Sequence, residues 1–131
     1  MSIISKVSPV APKKFPIMFP VSGVRFSTAN AGVKSGDGDD VTLIILDPAT
    51  EIAGLFTSSL MRSAPVIDCQ NKIGTEVRGK GAAIIINSGN ANAFTGRRGE
   101  IAVREIVDSL STMVDLPVQR IFSSSTGVIG E

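Results

Sequence analysis

The chain has 131 residues, of which 43% are apolar and 19% charged, so it is long enough for one domain with a buried core and too apolar for an intrinsically disordered protein. Its formal net charge is +1. The sequence contains no basic stripe with interleaved aromatic residues, the pattern that would indicate a nucleic-acid partner. No apolar run approaches the roughly 20 residues that a membrane-spanning helix needs, and the N-terminal segment lacks the apolar core of a signal peptide. We therefore expect a cytoplasmic protein with neither a nucleic-acid nor a membrane partner.

The most restrictive feature of the composition is that it contains no His and one Cys, Cys69. A Ser-His-Asp triad, a Cys-His pair and a zinc site of His and Cys therefore cannot be built from this chain alone, and no metal is expected. Any general base acting near neutral pH would have to be a shifted carboxylate, a shifted Lys or an α-amino group. Either the chain is not an enzyme by itself, or a Ser or Thr nucleophile works with an unusual base.

The first 20 residues contain Pro9, Pro12, Pro16 and Pro20, a spacing in which no helix can propagate. We predict that residues 1–20 form an extended N-terminal arm, with a frayed tail as an equally open alternative. Residues 21–131 are predicted to form the domain.

Two strands and a turn come next. Val24–Ala29 alternates in polarity and predicts a strand, and Val41–Leu46 predicts a second one. The Gly- and Asp-rich segment Ser35–Asp40 lies between them, which indicates a hairpin. Its acidic residues suggest calcium, but they lack the ligand spacing of an EF-hand, so a solvated turn is favoured.

The middle of the chain predicts a third strand over Ala53–Ser58 and a short helix over Pro65–Ile73 that Gly74 ends. Cys69 falls inside this helix. We interpret it as a small buried apolar group, because no neighbour in sequence would lower its pKa.

Residues 81–96 contain the most distinctive stretch. The β-branched run Ala82–Ile86 predicts a buried strand that breaks into an amide-rich loop, Asn87–Asn92, and Thr95 is the predicted N-cap of the next helix. The apolar residues of that helix recur every three or four positions. They are Val103, Ile106, Val107, Leu110, Met113 and Val114.

Pro117 is predicted to end this helix, and Val118–Ser124 is predicted to return as a strand. The expected element order is therefore β-β-β-α-β-α-β. The expected fold class is α/β, with a mixed β-sheet covered mainly on one face by two helices.

Two polar groups could support chemistry. Asn87, Asn90 and Asn92 could hold a carboxylate or stabilise developing negative charge, but buried backbone in a tight turn would use the same amides, and this structural alternative is favoured. Thr126 and Gly127 place a hydroxyl beside a backbone N–H, which is a workable oxyanion hole, although Ser-Thr-Gly also occurs in plain turns.

Six short motifs occur together and in a fixed order. They are Ala-Gly-Val-Lys (31–34), Gly-Leu-Phe-Thr (54–57), Ala-Pro-Val (64–66), Asn-Ser-Gly-Asn-Ala-Asn-Ala (87–93), Thr-Gly (95–96) and Ser-Thr-Gly-Val-Ile-Gly-Glu (125–131). With them the chain resembles the N-terminal, α-chain part of the ornithine acetyltransferase family, also called bifunctional glutamate N-acetyltransferase. The resemblance runs from about Pro12 to the last residue.

The resemblance implies acetyl transfer from N-acetylornithine to glutamate in arginine biosynthesis, with no cofactor, although some members also accept acetyl-CoA. It implies an α/β/β/α sandwich of the DmpA/ArgJ-like type. The precursor of such an enzyme cleaves itself before a Thr. The new N-terminal Thr is the nucleophile of the β chain, its α-amine can serve as the base, and an α2β2 heterotetramer results.

By the same resemblance, Thr126 and Gly127 form the oxyanion hole. The nucleophilic Thr lies downstream of this motif, so we expect the 131 residues alone to be inactive. Substrate-binding residues are not implied, and Asn87, Asn90 and Asn92 remain the weak candidates. Two alternatives stay open: a non-catalytic binding or assembly domain that kept the scaffold, and an unrelated α/β small-molecule binder.

Overall fold

The computed structural model describes residues 9–131, so the first eight residues of the predicted N-terminal arm lie outside the described residues. Residues 9–20 contain neither helix nor strand, and the side chains of Phe15 and Phe19 are exposed. The boundary between the arm and the domain stays a prediction. The elements that follow are β1 (Val24–Ala29), β2 (Val41–Leu46), α1 (Ala64–Lys72), β3 (Ala82–Asn90), α2 (Gly96–Val114), a 3-10 turn (Val118–Arg120) and β4 (Ile121–Val128).

The four strands form one sheet in the order β1-β2-β3-β4. β1 and β2 form the predicted antiparallel hairpin, with Val24 opposite Leu46 and Ala29 opposite Val41. β2 and β3 are also antiparallel, whereas β3 and β4 are parallel because α2 connects them. A mixed sheet with two helices confirms the predicted fold class.

The core lies between the sheet and the two helices. Its buried members are Ala64, Ala83, Val103, Val107, Leu110 and Ile121, with Leu43, Ile45 and Ile85 packed against them. Because side chains alternate along a strand, the even-numbered residues of β3 point to the opposite face. On that second face Phe26 is 64% exposed, and Ile44, Ile84 and Ile86 are only partly buried. This half-buried apolar face is what a further sheet layer of the predicted sandwich would cover.

Helix α1 covers the outer edge of β4. The Cys69 thiol donates to the Ser123 carbonyl at 3.2 Å, and the Lys72 ammonium donates to the Ile121 carbonyl at 3.0 Å. These bonds satisfy carbonyls that an edge strand would otherwise leave open. Burial raises the pKa of the Cys69 thiol, in keeping with the predicted small buried group. The helix lies one residue earlier than predicted, and Gly74 follows its last turn.

The predicted third strand over Ala53–Ser58 is wrong, because this segment forms no strand. Leu55 is fully exposed, and the ring of Phe56 folds back over Gly54. The β-forming composition of this segment is not enough, since strand propensity reflects packing against a neighbouring strand and none is available here.

The apolar stripe of α2 is narrower than its sequence pattern predicts. Val103, Val107 and Leu110 are buried, whereas Ile106 is 46% exposed and Met113 80% exposed. The final predicted strand also begins later. Residues 118–120 form the 3-10 turn, in which Arg120 donates to the Gly81 and Thr50 carbonyls and so joins two loops, and β4 runs on to Val128.

The predicted solvated turn Ser35–Asp40 is exposed except for its last residue. Asp40 is 3% exposed, and its carboxylate accepts the backbone N–H groups of Ala31 at 2.7 Å and Lys34 at 2.9 Å. The Ala31 and Lys34 N–H groups, in that order, hold the pKa of Asp40 below its ordinary value of 3.8. Asp40 therefore fixes the loop 31–34 against the start of β2.

Replacing Leu110 tests the packing of α2. We expect Leu110→Ala to lower the free energy of unfolding by about 2–5 kcal/mol, because a buried side chain leaves a cavity. Met113→Ala is the matched control on the same predicted stripe, and its exposure predicts a change within about 0.5 kcal/mol. Urea unfolding of both variants measures the difference, and equal losses would contradict the narrow stripe.

Acid titration tests Asp40. Its folded-state pKa is lowered, so its contribution to stability is present above the ordinary Asp pKa of 3.8 and is lost as the pH falls through the folded value. We expect Asp40→Asn to be less stable than the wild type at neutral pH and to lose less stability on acidification. Exposed Glu105→Gln is the control. Thermal melts from pH 7 to pH 2 give the comparison, and parallel curves for wild type and Asp40→Asn would refute the assignment.

Candidate functional site

The candidate site lies where the parallel strands β3 and β4 end side by side. In α/β proteins the carboxyl ends of neighbouring strands are the usual position of a functional site. The strand β3 runs beyond the predicted break at Ile86 and includes Asn87, Ser88, Gly89 and Asn90. The prediction of a loop over these four residues is therefore wrong. β4 reaches Val128 and supplies a hydrogen-bonding partner, and this pairing overrides their low strand propensity.

A β-bulge interrupts the pairing at the end of these strands. Gly89 lies opposite Gly127, and Asn90 then pairs with both Thr126 and Val128. Gly89 and Gly127 have φ angles of +114° and +135°, a region that favours glycine. A Cβ atom on Gly127 would lie 2.3 Å from the carbonyl carbon of Gly89. Both strands therefore approach more closely here than any residue with a side chain allows.

The Asn87 side chain connects the two strands just before the bulge. Its Nδ2 donates to the Asn90 carbonyl at 2.8 Å, and its Oδ1 accepts the Ser125 hydroxyl at 2.6 Å. Both contacts are partly buried. The amide thus uses its donor and its acceptor at once, which a carboxylate or an ammonium group could not do.

The other two amides hold the segment that leads from β3 into α2. Asn90 Nδ2 donates to the Glu131 carbonyl at 2.9 Å, and Asn92 Nδ2 donates to the Gly99 carbonyl at 3.1 Å. Thr95 occupies the predicted N-cap position of α2, but its hydroxyl donates to Asn92 Oδ1 at 2.7 Å instead of capping the helix. The predicted cap is wrong because the helical backbone of Thr95 directs its hydroxyl elsewhere.

The side chains of Asn87, Asn90 and Asn92 each donate to a backbone carbonyl, as expected if these amides serve to hold the turn. All three also line a cleft of about 810 Å³ between α2 and the loop at Val33. Arg98 lies at the same cleft, and its positive charge suits an anionic substrate. A role in binding such a substrate stays a prediction for Asn87, Asn90 and Asn92.

Thr126 and Gly127 lie outside this cleft, because the side chain of Thr126 points to the other face of the sheet. Both residues are exposed. Within residues 9–131 the Thr126 hydroxyl makes no hydrogen bond. A hydroxyl without a partner next to a glycine could donate a hydrogen bond to a ligand oxygen. The structure thus separates the two predicted groups of site residues.

Two features of this region have no clear signal in the sequence. Asp40 fixes the loop whose residues Val33 and Lys34 contact Gly89. The sequence does not indicate this role, because Asp40 belongs to an acidic segment that predicts a solvated turn. Ser125 becomes important only because β4 pairs with β3 in a register that places it opposite Asn87. The one hint that the sequence offers is that Ser125 is the first residue of the motif Ser-Thr-Gly-Val-Ile-Gly-Glu (125–131).

Among residues 9–131, no three His, Cys, Asp or Glu side chains lie close enough together to bind a metal ion. None of the helices in this part of the chain is long and apolar enough to cross a membrane.

Known proteins resemble this chain along most of its length. The model of the ArgJ family matches residues 25–131. The "Arginine biosynthesis bifunctional protein ArgJ" of Ruegeria pomeroyi is 51% identical over the whole chain, which covers 32% of that protein. Its counterpart in Brucella suis is 44% identical over 97% of the chain, which covers 30% of that protein. The chain thus spans about a third of the length of these relatives.

Two solved structures share the fold. ArgJ from Bacillus halodurans matches with a TM-score of 0.74 and 33% identity, over 84% of this chain and 56% of that one. Ornithine acetyltransferase from Mycobacterium tuberculosis, solved with ornithine, matches with a TM-score of 0.77 and 29% identity, over 84% of this chain and 58% of that one. The sequence match and the shared fold agree, and the chain belongs to the ArgJ family.

Proposed function

We propose that this chain supplies the oxyanion hole of a glutamate N-acetyltransferase that moves an acetyl group from N-acetylornithine to glutamate. Membership of the ArgJ family and the name ornithine acetyltransferase of a solved relative support this activity. The observation that carries the proposal is the Thr126 hydroxyl beside Gly127, where β4 ends next to β3, since this hydroxyl has no hydrogen-bonding partner among residues 9–131.

The direction proposed for the Gly127 N–H starts from the alternation of backbone groups along β4 before the bulge. The carbonyls of Ile121 and Ser123 point away from β3, since they accept donors from α1. In a regular strand every second residue directs its N–H and carbonyl to the same side. Gly127 itself departs from regular strand geometry, with a φ of +135° at the bulge. We propose that its N–H nevertheless keeps the outward direction of this set and is open to a ligand.

These two donors suit acyl transfer. When a nucleophile attacks the acetyl carbonyl carbon, the carbonyl oxygen becomes an oxyanion, and two preorganised donors stabilise that charge. Thr126 and Gly127 are consecutive in the chain, and both residues are exposed. The donors carry no charge, so they stabilise the charge that develops on the substrate without needing a counter-ion.

The nucleophile and the base come from elsewhere in this proposal. The chain contains no His, and a Thr whose own α-amine acts as the base needs none. We propose that self-cleavage of a precursor generates this Thr at the start of a β chain, and that the two chains form an α2β2 heterotetramer in the cytoplasm. No resident cofactor is part of the proposal, and acetyl-CoA would enter as an alternative acetyl donor.

A non-catalytic binding or assembly domain is the alternative function. The half-buried apolar face of the sheet, with Phe26 64% exposed, favours a surface that packs against further protein. The complete enzyme would also provide such a layer. A complete, folded protein containing this segment that transfers no acetyl group would therefore favour the alternative.

Replacing Thr126 tests the oxyanion hole in a complete protein that carries this segment. We expect Thr126→Val to lower kcat for acetyl transfer by about 10²–10³-fold, with KM nearly unchanged, because one transition-state donor is lost. Steady-state kinetics with N-acetylornithine and glutamate measure the effect.

Thr112→Val is the matched control. Thr112 lies exposed on α2, and its hydroxyl donates to the Asp108 carbonyl of the same helix. We expect a kcat within about twofold of the wild type, since surface changes away from a site are nearly neutral. A wild-type rate for Thr126→Val would refute the oxyanion role of its hydroxyl.

Adding a methyl group at Gly127 tests the second donor. Its φ of +135° and the 2.3 Å approach to Gly89 mean that Gly127→Ala must move one strand and the N–H with it. We expect kcat to fall by at least about 10²-fold. Gly38→Ala is the control, because it has nothing within 4 Å and an ordinary φ. Unchanged kinetics of a folded Gly127→Ala protein would exclude Gly127 from the site.

A further inference from the structure

We propose that Asn87 is a positioning residue for the Thr126–Gly127 donor pair. This inference rests on the proposed oxyanion hole. Asn87 lies on the face of the sheet opposite the Thr126 side chain and therefore acts on this pair through the backbone of both strands rather than by direct contact.

The first contact of Asn87 fixes β4 directly before the donors. The Ser125 hydroxyl donates to Asn87 Oδ1 at 2.6 Å, and Ser125 is the residue that precedes Thr126. The contact is partly buried, where a hydrogen bond is stronger than in water and costly to leave unmade. It limits rotation of the backbone that leads into Thr126.

The second contact fixes the bulge on β3. Asn87 Nδ2 donates to the Asn90 carbonyl at 2.8 Å, and Asn90 pairs with the residues on both sides of Gly127. The backbone of Gly89 and the nitrogen of Asn90 form the wall that Gly127 packs against, since a Cβ there would lie 2.4 Å from the Gly89 oxygen and 2.6 Å from that nitrogen. Asn87 therefore fixes both the β3 backbone that Gly127 packs against and the β4 residue that precedes Thr126.

Positions of this kind matter because an oxyanion hole is strict in its geometry. Its donors must lie about 2.7–3.1 Å from the developing oxyanion. A misplacement of about 1 Å can cost roughly 10²-fold in rate. Without the Asn87 amide, the backbone hydrogen bonds between β3 and β4 would remain. The two bonds by which Asn87 joins Asn90 at the bulge to Ser125, the residue before Thr126, would be lost.

The test measures kcat and KM of Asn87→Ala in a complete protein that carries this segment. We expect kcat to fall by about 10–10²-fold while KM stays within about twofold, because the loss falls on the transition state rather than on substrate binding. Ser125→Ala removes one of the two contacts and keeps the bond to Asn90, so we expect a smaller fall. It also serves as the second variant if Asn87→Ala does not fold.

A double-mutant cycle separates positioning from a general loss of structure. If Asn87 acts through the oxyanion hole, Asn87→Ala should slow the Thr126→Val enzyme much less than it slows the wild type. If it only stabilises the fold, the two losses in kcat should multiply. Multiplying losses would overturn the positioning role.

Ser111→Ala is the matched control for stability. The Ser111 hydroxyl donates to the Leu116 carbonyl at 2.6 Å, also partly buried, at the far end of α2. We expect it to lower the melting temperature without lowering kcat. A normal kcat for Asn87→Ala beside a slow Thr126→Val enzyme would overturn the positioning role alone, whereas a normal rate for Thr126→Val would overturn the oxyanion hole and the positioning role with it.

Discussion

The close approach of Gly89 and Gly127 is the constraint on which this end of the molecule depends. Two parallel strands meet there with φ angles of +114° and +135°, and neither position has room for a side chain. The approach creates the bulge at Asn90, and the bulge leaves polar backbone groups outside the regular ladder. Buried backbone groups need partners. The amide-rich sequence around this point supplies them.

Amide side chains suit this task better than charged ones. Asn87 donates to one strand and accepts from the other, and Asn92 donates to Gly99 while it accepts from Thr95. A charged group in the same place would pay a large desolvation cost and could only donate or only accept. Within residues 9–131 these amides thus form a hydrogen-bonded network that carries no charge of its own.

The sequence predicts those parts of the fold that depend on local patterns. Alternation predicts the β1–β2 hairpin, and helical periodicity predicts α2, because both patterns are written in adjacent residues. The segment Ala53–Ser58 shows the limit, since its composition suits a strand but no partner lies beside it. The length of β3 depends on pairing with β4, from which α2 separates it. For the same reason no local pattern could place Ser125 opposite Asn87. The chemistry of Thr126 and Gly127 alone left an oxyanion hole and a plain turn both open, and only the resemblance favoured the oxyanion hole, which stays a prediction.

The exposure of the donor pair has a consequence for how such a site would work. Hydrogen-bond donors stabilise an oxyanion most strongly where water is excluded, yet Thr126 and Gly127 are open to solvent in this chain. The Thr126 side chain lies on the same face as Ile84, Ile86 and the exposed ring of Phe26. A protein layer that covers the apolar residues would therefore also close over the hydroxyl. Burial of this face would then stabilise the fold and dry the site in one step, so the proposed chemistry and the assembly of the complete protein would depend on the same surface.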